Sequence, residues 1–476
     1  MVGQVSAPDS EESVYDDDAQ GSGVVRIAVV AALGGFLFGY DSAVINGAVS
    51  AVEREFNADS ASLGFAVASA LLGAAAGALL AGRIADRLGR LAVMRIAAVM
   101  FLVSAIGTGF AGSLSVLVIF RIVGGLGVGM ASVIAPAYIA EIAPARIRGR
   151  LASLQQLAIV TGIFISLLVD FLFASAAGGS SEPFWFGLDA WQWMFLAMAV
   201  PAIIYGLLSM TIPESPRFLI AKHRIPDARV VLSKLLGETN LDTKIEKIRK
   251  SMERETEPSW RDLKNPSGKI AAIVWIGLLV SVFQQFVGIN VIFYYSNVLW
   301  EAVGFDESQA FTITVISAII NIATTLIAIA TIDKFGRKPL LIIGSIGMTI
   351  TLATMAIVFG TARVVDGNPV LSGAQGPIAL IAANLFVVAF GMSWGPVTWV
   401  LLGEMFPNRM RAAALSLAAG GQWVANWLIT VTFPGLKDVS LALAYGLYAA
   451  FALLSLFFVL KFIRETKGRQ LEDMEG

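Results

Sequence analysis

The sequence predicts an all-α membrane protein of twelve transmembrane helices, arranged as two pseudo-symmetric halves of six with a cytoplasmic helical bundle between them. Of the 476 residues, 57% are hydrophobic and 14% are charged, whereas a soluble protein carries roughly a quarter charged residues. Twelve apolar segments are long enough to cross a bilayer as helices, six before a long polar stretch and six after it. The segments lie at 24–50, 60–82, 92–112, 114–138, 152–174, 191–212, 270–300, 308–332, 339–361, 376–402, 411–434 and 440–462.

The amino terminus is acidic. Residues 1–23 carry several Asp and Glu and no Lys or Arg, which is the reverse of the basic start of a secretory signal peptide. A stretch of this composition cannot bury enough apolar surface to fold, so we predict a disordered tail that stays on the chain. The predicted division is a cytoplasmic tail at 1–23, halves at 24–212 and 270–463, a linker at 213–269 and a carboxy-terminal tail at 464–476.

The basic residues predict the orientation in the membrane, because Lys and Arg concentrate in cytoplasmic loops. Of the 34 Lys and Arg, only Arg54, Arg363 and Lys437 fall on one side of the predicted segments. Arg26 starts the first segment, Arg121 lies inside the fourth, and all the others fall on the opposite side. We therefore expect a multi-pass protein of the cell membrane with both termini in the cytoplasm.

The linker at 213–269 has helical periodicity. Pro226–Leu236 and Leu241–Glu255 both show it, and Ile245, Ile248 and Met252 share one face of the second helix. This spacing predicts the small cytoplasmic bundle; the alternative is a flexible linker.

Five polar or phenolic side chains interrupt the seventh segment. Uncompensated polar groups are costly in hydrocarbon, so these side chains should face protein or water. Amides supply hydrogen-bond donors and acceptors together, and aromatic rings lie flat against the C–H faces of sugars. The set therefore suits an uncharged polyhydroxyl solute; the alternative is that it only holds helices together. Its members are Gln284, Gln285, Asn290, Tyr294 and Tyr295.

Other segments add amides and indoles. In the eleventh segment, Gln422 with Asn426, and Trp423 with Trp427, are spaced i, i+4, so each pair shares a helix face. The remaining candidates are Gln155 and Gln156 in the fifth segment, Asn321 in the eighth, and Trp394 and Trp399 in the tenth. We expect bends at Gly288 and at Gly395-Pro396, because Gly adds backbone freedom and Pro removes a helical hydrogen bond.

Charged turns repeat between the two halves, after the second and eighth segments and after the fourth and tenth. Opposite charges on these turns can pair between neighbouring helix ends, and breaking such pairs would let the cytoplasmic side open. The alternative for any one of them is a solvated loop. Many secondary carriers are built from such repeats, with the substrate at the midplane. The proposed latch comprises Asp86, Arg87, Arg90, Glu141, Arg148, Asp333, Arg337, Glu404 and Arg409.

The motifs around these residues resemble those of a known family. Gly82-Arg83-x-x-Asp86-Arg87-x-Gly89-Arg90 is similar to the loop signature of the major facilitator superfamily. Further motifs, which occur in the correct order and extend to Arg469, resemble its sugar porter family, most of all the bacterial proton-coupled glucose and xylose symporters. They are Pro136-x-Tyr138-x-x-Glu141-Ile142-Ala143-Pro144, Pro213-Glu214-Ser215-Pro216-Arg217-Phe218-Leu219, the segment 284–295, Gly395-Pro396-x-x-Trp399 and Glu465-Thr466-Lys467-Gly468-Arg469.

The resemblance implies the major facilitator fold and assigns roles to several candidates. Most implied sugar contacts fall in the second half, so the first half is expected to move against a fixed ligand. The resemblance also implies that Asn426 and Trp427 have packing roles. The implied hexose contacts are Gln156, Gln284, Gln285, Asn290, Asn321, Trp399 and Gln422, with Trp423 and Tyr294 lining the cavity.

Asp41 is the candidate for energy coupling. It lies well inside the first segment, where a carboxylate marks a functional site by default. Arg121 is its natural partner: ionised Asp41 pairs with Arg121, and protonation releases the pair and permits outward opening. By resemblance, facilitative members of the family carry Asn at this position, so Asp favours proton symport; the alternative is a structural pair in a uniporter. Asp170 is predicted to be a solvated residue at the outer rim.

The sequence thus predicts a proton-coupled importer of a monosaccharide, with D-glucose as the first candidate and a pentose or galactose as alternatives. A sugar sensor that does not transport is a further alternative, which the short tails disfavour. The chain has no Cys, one His and a net charge of −1, which argues against bound metals, His-based catalysis and nucleic-acid binding. We expect no enzymatic activity and no cofactor, and we expect the sugar, the proton and the lipid bilayer as partners of a monomer.

Overall fold

The computed structural model describes residues 17–142, 148–236, 240–254, 260–265, 267–407 and 410–466. These residues form eighteen α-helices and one short hairpin of two antiparallel strands, β1 (Arg363–Val365) and β2 (Asn368–Val370). The helices are α1 (Asp17–Glu55), α2 (Ser60–Leu88), α3 (Arg90–Gly109), α4 (Leu114–Ile142), α5 (Arg148–Ala177), α6 (Ala190–Leu196), α7 (Ala199–Leu208), α8 (Pro216–Ala221), α9 (Ile225–Leu236), α10 (Leu241–Arg254), α11 (Ala272–Phe286), α12 (Ile289–Ala302), α13 (Glu307–Phe335), α14 (Arg337–Thr361), α15 (Gln375–Gly391), α16 (Trp394–Met405), α17 (Arg411–Val439) and α18 (Leu441–Phe462).

The predicted apolar segments coincide with these helices, and the all-α membrane fold is confirmed. Eleven stretches of the described chain are long and apolar enough to cross a bilayer. The predicted eleventh segment forms α17, a helix of 29 residues whose Gln422 and Asn426 lower its hydropathy. The protein is therefore a multi-pass membrane protein.

The seventh segment breaks at Gly288, as predicted. Helix α11 ends at Phe286 and α12 begins at Ile289, with Gly288 between them at φ 83°. A side chain is strained in this left-handed region, and a Cβ at Gly288 would lie 2.7 Å from the ring of Tyr448 on α18. Glycine is thus required both by the backbone conformation and by the close approach of α18.

Two other breaks differ from the sequence prediction. The tenth segment breaks at Met392 and Ser393, so Gly395 and Pro396 lie in the first turn of α16 rather than at the bend. Proline is tolerated there because the first amides of a helix have no intrahelical acceptor. The sixth segment, in which no break was predicted, divides into α6 and α7 with Pro201 in the first turn of α7.

The helices pack into two groups of neighbours. In the first half α2 packs on α4 and α1 on α5, and in the second half α14 packs on both α15 and α18. Among the described helices, the most extensive contacts between the halves join α2 with α17, α5 with α13, and α1 with α12. The interior between α1, α5, α12 and α17 is where the candidate site lies.

The polar linker contains three helices, α8, α9 and α10. The two predicted helices are confirmed as α9 and α10, and Ile245 is buried with Ile248 and Met252 packed beside it. At the amino terminus, α1 begins at Asp17, within the tail that the sequence predicts to be disordered. Residues 1–16 lie outside the described chain.

For orientation, the end of the bundle where α2 ends and α3 begins is called the basic end. The end where α1 ends and α2 begins is called the opposite end.

Candidate functional site

Four amide side chains meet beside the breaks of the seventh and tenth segments. The Gln422 amide donates to Gln284 Oε1 at 2.6 Å, and Gln285 Nε2 donates to the same oxygen at 3.4 Å. Asn290, in the first turn of α12, donates to Gln285 Oε1. The structure therefore brings together Gln284, Gln285, Asn290 and Gln422, as the sequence predicts.

The helix breaks explain why the amides converge. Gln284 Nε2 donates to the carbonyl oxygens of Trp394 and Gly395, at 2.9 and 3.2 Å. Both carbonyls belong to the first turn of α16, directly after the break at Ser393. The broken α15–α16 segment thus supplies backbone acceptors that fix Gln284, while the break at Gly288 directs Asn290 back toward α11.

Two of the predicted aromatic side chains, Trp423 and Trp399, lie on α17 and α16, which also contribute to the amide cluster. Trp423, one residue after Gln422, contacts Phe38 of α1 with ring centroids 6.3 Å apart. Trp399 lies about one turn after Gly395 on α16 and is 43% exposed. Both rings are at least partly accessible, and an aromatic face suits the C–H faces of a sugar.

Two residues of the sequence-predicted set have structural roles. The Trp394 indole is completely buried, and its N–H donates to Ser345 Oγ at 2.9 Å. The Tyr295 hydroxyl donates to the Thr430 carbonyl at 2.8 Å. Both polar groups are satisfied within the protein, so neither side chain faces a solute.

The fifth and eighth segments contribute at the contact between the halves. Gln156 on α5 and Asn321 on α13 are both half-buried, and α5 packs against α13. Gln155 is buried with its amide against α1 at Gly35, and its polar atoms have no hydrogen-bond partner in the described chain. Of the two neighbouring amides, Gln156 is therefore the more accessible.

Asp41 and Arg121 form a buried pair in the first half. Arg121 Nη1 lies 3.9 Å from Asp41 Oδ2 and donates instead to the Asp41 backbone carbonyl at 2.9 Å. Its Nη2 is 3.4 Å from the Val67 carbonyl. Asp41 and Arg121 are 1% and 2% exposed. Because the Asp41 Oδ2 accepts no hydrogen bond within the described chain, this carboxylate is held by charge rather than by a tight bidentate contact.

Tyr294 connects this pair to the second half. Its side chain lies near Asn426 of α17 and Ser42 of α1, and near the Arg121–Asp41 pair. Tyr294, Ser42 and Arg121 line one small cavity. A change of charge at Asp41 can therefore reach the helix that carries Asn290. Neither Ser42 nor this role of Asn426 was identified from the sequence, because both depend on which faces of α1 and α17 meet.

The prediction for Asp170 is wrong. Asp170 is fully buried rather than solvated, and its Oδ2 accepts a hydrogen bond from the Gly47 amide at 3.2 Å. Its place near the end of α5 suggested exposure, but α1 extends to Glu55 and covers it.

Two ion pairs brace the basic end. Arg90 at the start of α3 makes a bidentate contact with Glu141 at the end of α4, at 2.9 and 3.0 Å. Arg337 at the start of α14 contacts Glu404 near the end of α16 in the same way, at 2.7 and 3.0 Å. Each pair joins two helices of one half, so it fixes helix ends within that half and does not bridge the halves.

Four further residues complete these pairs. Glu214 accepts from the amides of Arg90 and Leu91, and Glu465 accepts from those of Arg337 and Lys338. The next residue in each case, Ser215 or Thr466, donates to the paired glutamate. None of these four residues was assigned a role from the sequence. The repeat of an acidic residue followed by a hydroxyl residue, Glu214-Ser215 after the sixth segment and Glu465-Thr466 after the twelfth, could have identified them.

The rest of the proposed latch divides into three cases. Asp86 pairs with Arg90 at 3.4 Å but is 75% exposed, so the contact is weak. Arg87 is exposed to solvent. The side chains of Arg148 and Asp333, and Arg409 as a whole, lie outside the described residues.

Hydrogen bonds join the two halves at the opposite end. Ser50 on α1 donates to Glu301 on α12 at 3.2 Å, and the Asn297 amide donates to Asn46 at 3.0 Å. Ser60 bonds to Asp438 of α17. The Ser180 amide bonds to Glu307 of α13 at 2.7 Å. In this conformation the opposite end is closed.

The family model described as "Sugar (and other) transporter" matches residues 27–476. The chain belongs to the sugar transporter family. This family member is 56% identical to the "Glucose transport protein" of Synechocystis sp., over 95% of this chain and 97% of the relative. It is 39% identical to the "D-xylose-proton symporter" of Escherichia coli, over 95% of each chain.

A solved structure gives the same result for the fold of this sugar transporter. The inward open conformation of the xylose transporter XylE from E. coli matches with a TM-score of 0.81 at 38% identity, over 95% of this chain and 99% of that one. The resemblance to the sugar porters and the major facilitator fold are therefore confirmed. The chain is a transporter rather than an enzyme.

Proposed function

We propose that this chain is a proton-coupled symporter that imports a monosaccharide, D-glucose first among them, by alternating access. One observation carries the proposal: the cluster of Gln284, Gln285, Asn290 and Gln422 lies on helices that Tyr294 connects to the buried Asp41–Arg121 pair. A neutral site and a titratable site are thus linked through one side chain.

The amide cluster suits a sugar because it holds both donors and acceptors and no charge. The Gln284 amide is fixed by two carbonyls, so it is preorganised when a ligand arrives. Hydroxyl groups would exchange hydrogen bonds with the amides, while Trp399 and Trp423 would cover C–H faces. We propose Gln156, Asn321 and Tyr294 as further contacts, contributed from both halves.

The proton acts at Asp41. While Asp41 is ionised its attraction to Arg121 holds α1 against α4, and protonation removes that attraction. The first half can then tilt and open the opposite end to the outside. One proton entering down the membrane potential is worth about 2.3 kcal/mol per 100 mV, or roughly a fiftyfold sugar gradient.

We propose that the basic end faces the cytoplasm and that the protein resides in the cell membrane with both termini inside. The halves at 24–212 and 270–463 would move as units, with the linker helices beneath them, in a monomer. With the opposite end closed, this conformation is the inward-facing state. The paired residues at the basic end would keep each half rigid as it moves.

The experiment is transport by the purified protein in liposomes, using labelled glucose, galactose, xylose and arabinose, with and without an inward proton gradient. The proposal expects glucose to accumulate above equilibrium only with the gradient, and to carry protons inward with it. Equilibration without accumulation would favour a uniporter, and a preference for xylose would favour a pentose symporter. Tight sugar binding without movement would identify a sensor.

A further inference from the structure

Asp170 is a buried acid that the coupling scheme does not use. It is fully buried on α5, where its Oδ2 accepts the Gly47 amide and its Oδ1 has no hydrogen-bond partner among the described residues. A Cβ at residue 47 would lie 2.6 Å from the Asp170 carboxyl carbon, so glycine is what allows the two helices to enclose this group.

No described cation compensates Asp170. Four helices pack against α5, namely α1, α4, α6 and α13. Arg121 of α4 interacts with Asp41, Tyr294 and Tyr295 instead, α6 has no titratable residue, and α13 carries charges only near its two ends. The titratable group that faces Asp170 from α1 is Tyr40, whose buried hydroxyl also has no described partner.

A carboxylate buried without a cation costs several kcal/mol or more, and the group avoids this cost by binding a proton. As a neutral acid, Asp170 keeps the hydrogen bond from the Gly47 amide and buries no charge. The absence of a described counter-charge and the unpartnered Oδ1 of Asp170 therefore both favour the protonated acid.

The position of Asp170 relates this proton to the transport cycle. Gly47 follows Asp41 on α1 by six residues, which places it about 9 Å nearer the outer end. The residues flanking Gly47 carry the contacts that close this end, Asn46 with Asn297 and Ser50 with Glu301. When α12 separates from α1, outside water gains access to the region around Asp170.

We propose that Asp170 is a second proton-binding site, which is protonated in this closed-outside conformation, passes its proton to Asp41 and is protonated again from the outside when the outer end opens. Proton binding at Asp170 does not depend on the proposed function. The delivery step does depend on it, so two separate measurements are needed.

The first measurement is infrared spectroscopy of the purified protein at neutral pH, comparing wild type, Asp170→Asn and Asp41→Asn. The proposal expects a protonated-carboxyl C=O band that Asp170→Asn removes and Asp41→Asn retains. Identical spectra of wild type and Asp170→Asn in this region would overturn it. This result does not depend on whether the protein is a symporter or a uniporter.

The second measurement is the dependence of gradient-driven glucose uptake on external pH. Asp170→Asn should slow uptake most at alkaline external pH, where protons are scarce, and acidic medium should restore it. Asp170→Glu should keep the wild-type profile, as should the control Ser166→Ala, which removes a buried hydroxyl one turn away on α5. An Asp170→Asn profile that matches wild type would overturn delivery to Asp41. A wild type that never accumulates sugar would contradict the proposed function instead.

Discussion

The Asp41 carboxylate lies beside Arg121 without a hydrogen bond to it, while the guanidinium donates to the backbone carbonyls of Asp41 and Val67. An ion pair of this kind depends almost entirely on charge. Neutralising the acid removes most of the attraction while the backbone contacts of Arg121 persist. A proton can therefore change the force between α1 and α4 without dismantling either helix.

At the sugar site, the sharpest test is Gln284→Ala. This change removes an amide that contacts Gln422, Gln285 and two carbonyls of α16. Losing its hydrogen bonds to a sugar should raise the dissociation constant about tenfold, since a neutral hydrogen bond contributes about 0.5–1.5 kcal/mol. Equilibrium binding of labelled glucose in detergent measures this.

The matched control for Gln284→Ala is Gln375→Ala, which removes an exposed amide at the start of α15. Its glucose affinity should equal that of wild type. Unchanged affinity in Gln284→Ala would contradict the assigned site, and an equal loss in both variants would indicate general damage rather than a lost contact.

The individual amides could be predicted from the sequence, but their partners could not. Gln284 and Gln422 could be identified because polar side chains in membrane-spanning segments are costly and mark functional sites. That Gln284 bonds to the Trp394 carbonyl depends on where α16 begins, which no residue type determines. The prediction that Asp170 is solvated was wrong for a related reason. Its burial depends on the length of the neighbouring helix α1.

Among the helices, the break at Gly288 was predictable and the break at Ser393 was not. A left-handed backbone conformation requires glycine, so Gly288 left a signal in the sequence. Ser393 has φ −134°, a value that any residue adopts, so its residue type does not mark the break. The nearby Gly395-Pro396 led us to predict the bend two residues after its actual position. The division between α6 and α7 was not predicted, although Pro201 stands at the third position of α7, as Pro396 does in α16.

Gly288→Ala should therefore destabilise the protein. The added Cβ would be forced into a left-handed conformation, at about 1–2 kcal/mol, and would meet the Tyr448 ring. We expect a lower melting temperature in detergent and weaker glucose binding, because the position of Asn290 depends on this break.

The control for Gly288→Ala is Gly446→Ala on α18, where a Cβ meets no atom within 4 Å. In a helix interior this change should leave the melting temperature equal or higher, since Ala is the better helix former. If the melting temperatures of both variants equal that of wild type, the break at residue 288 does not require glycine.

The paired helix ends give a second prediction for the elements. Glu404→Gln removes the charge that pairs with the Arg337 guanidinium, which is only 9% exposed. Breaking a fully buried pair costs about 3–5 kcal/mol, and the partial exposure of Glu404 reduces this to about 1–2 kcal/mol.

A thermal melt in detergent measures the loss from Glu404→Gln. The control is Glu246→Gln, which disrupts only exposed pairs on α10 and should change the melting temperature little. A Glu404→Gln protein as stable as wild type would show that the ion pair does not brace its half.

For the whole molecule, the closure of the opposite end, which we propose to face outward, is a consequence of contacts between the halves. Ser50 and Glu301 lie on opposite halves and are hydrogen-bonded at 3.2 Å. The chain has no Cys, so a Ser50→Cys/Glu301→Cys variant carries a single possible cross-link. A short bifunctional thiol reagent should trap the inward-facing state and stop uptake, and a cleavable reagent should allow uptake to return on reduction.

The two single-cysteine variants, treated identically, should keep transporting. Continued uptake by the cross-linked double variant would mean that the outer end need not open, which would contradict alternating access between these halves.

The central claim is that the proton carried by Asp41 drives the sugar. The most direct test compares wild type and Asp41→Asn in liposomes, following labelled glucose with and without an inward proton gradient. Wild type should accumulate glucose above equilibrium, whereas Asp41→Asn should exchange labelled for unlabelled glucose and never exceed equilibrium. Accumulation by Asp41→Asn that still follows the proton gradient would contradict the account.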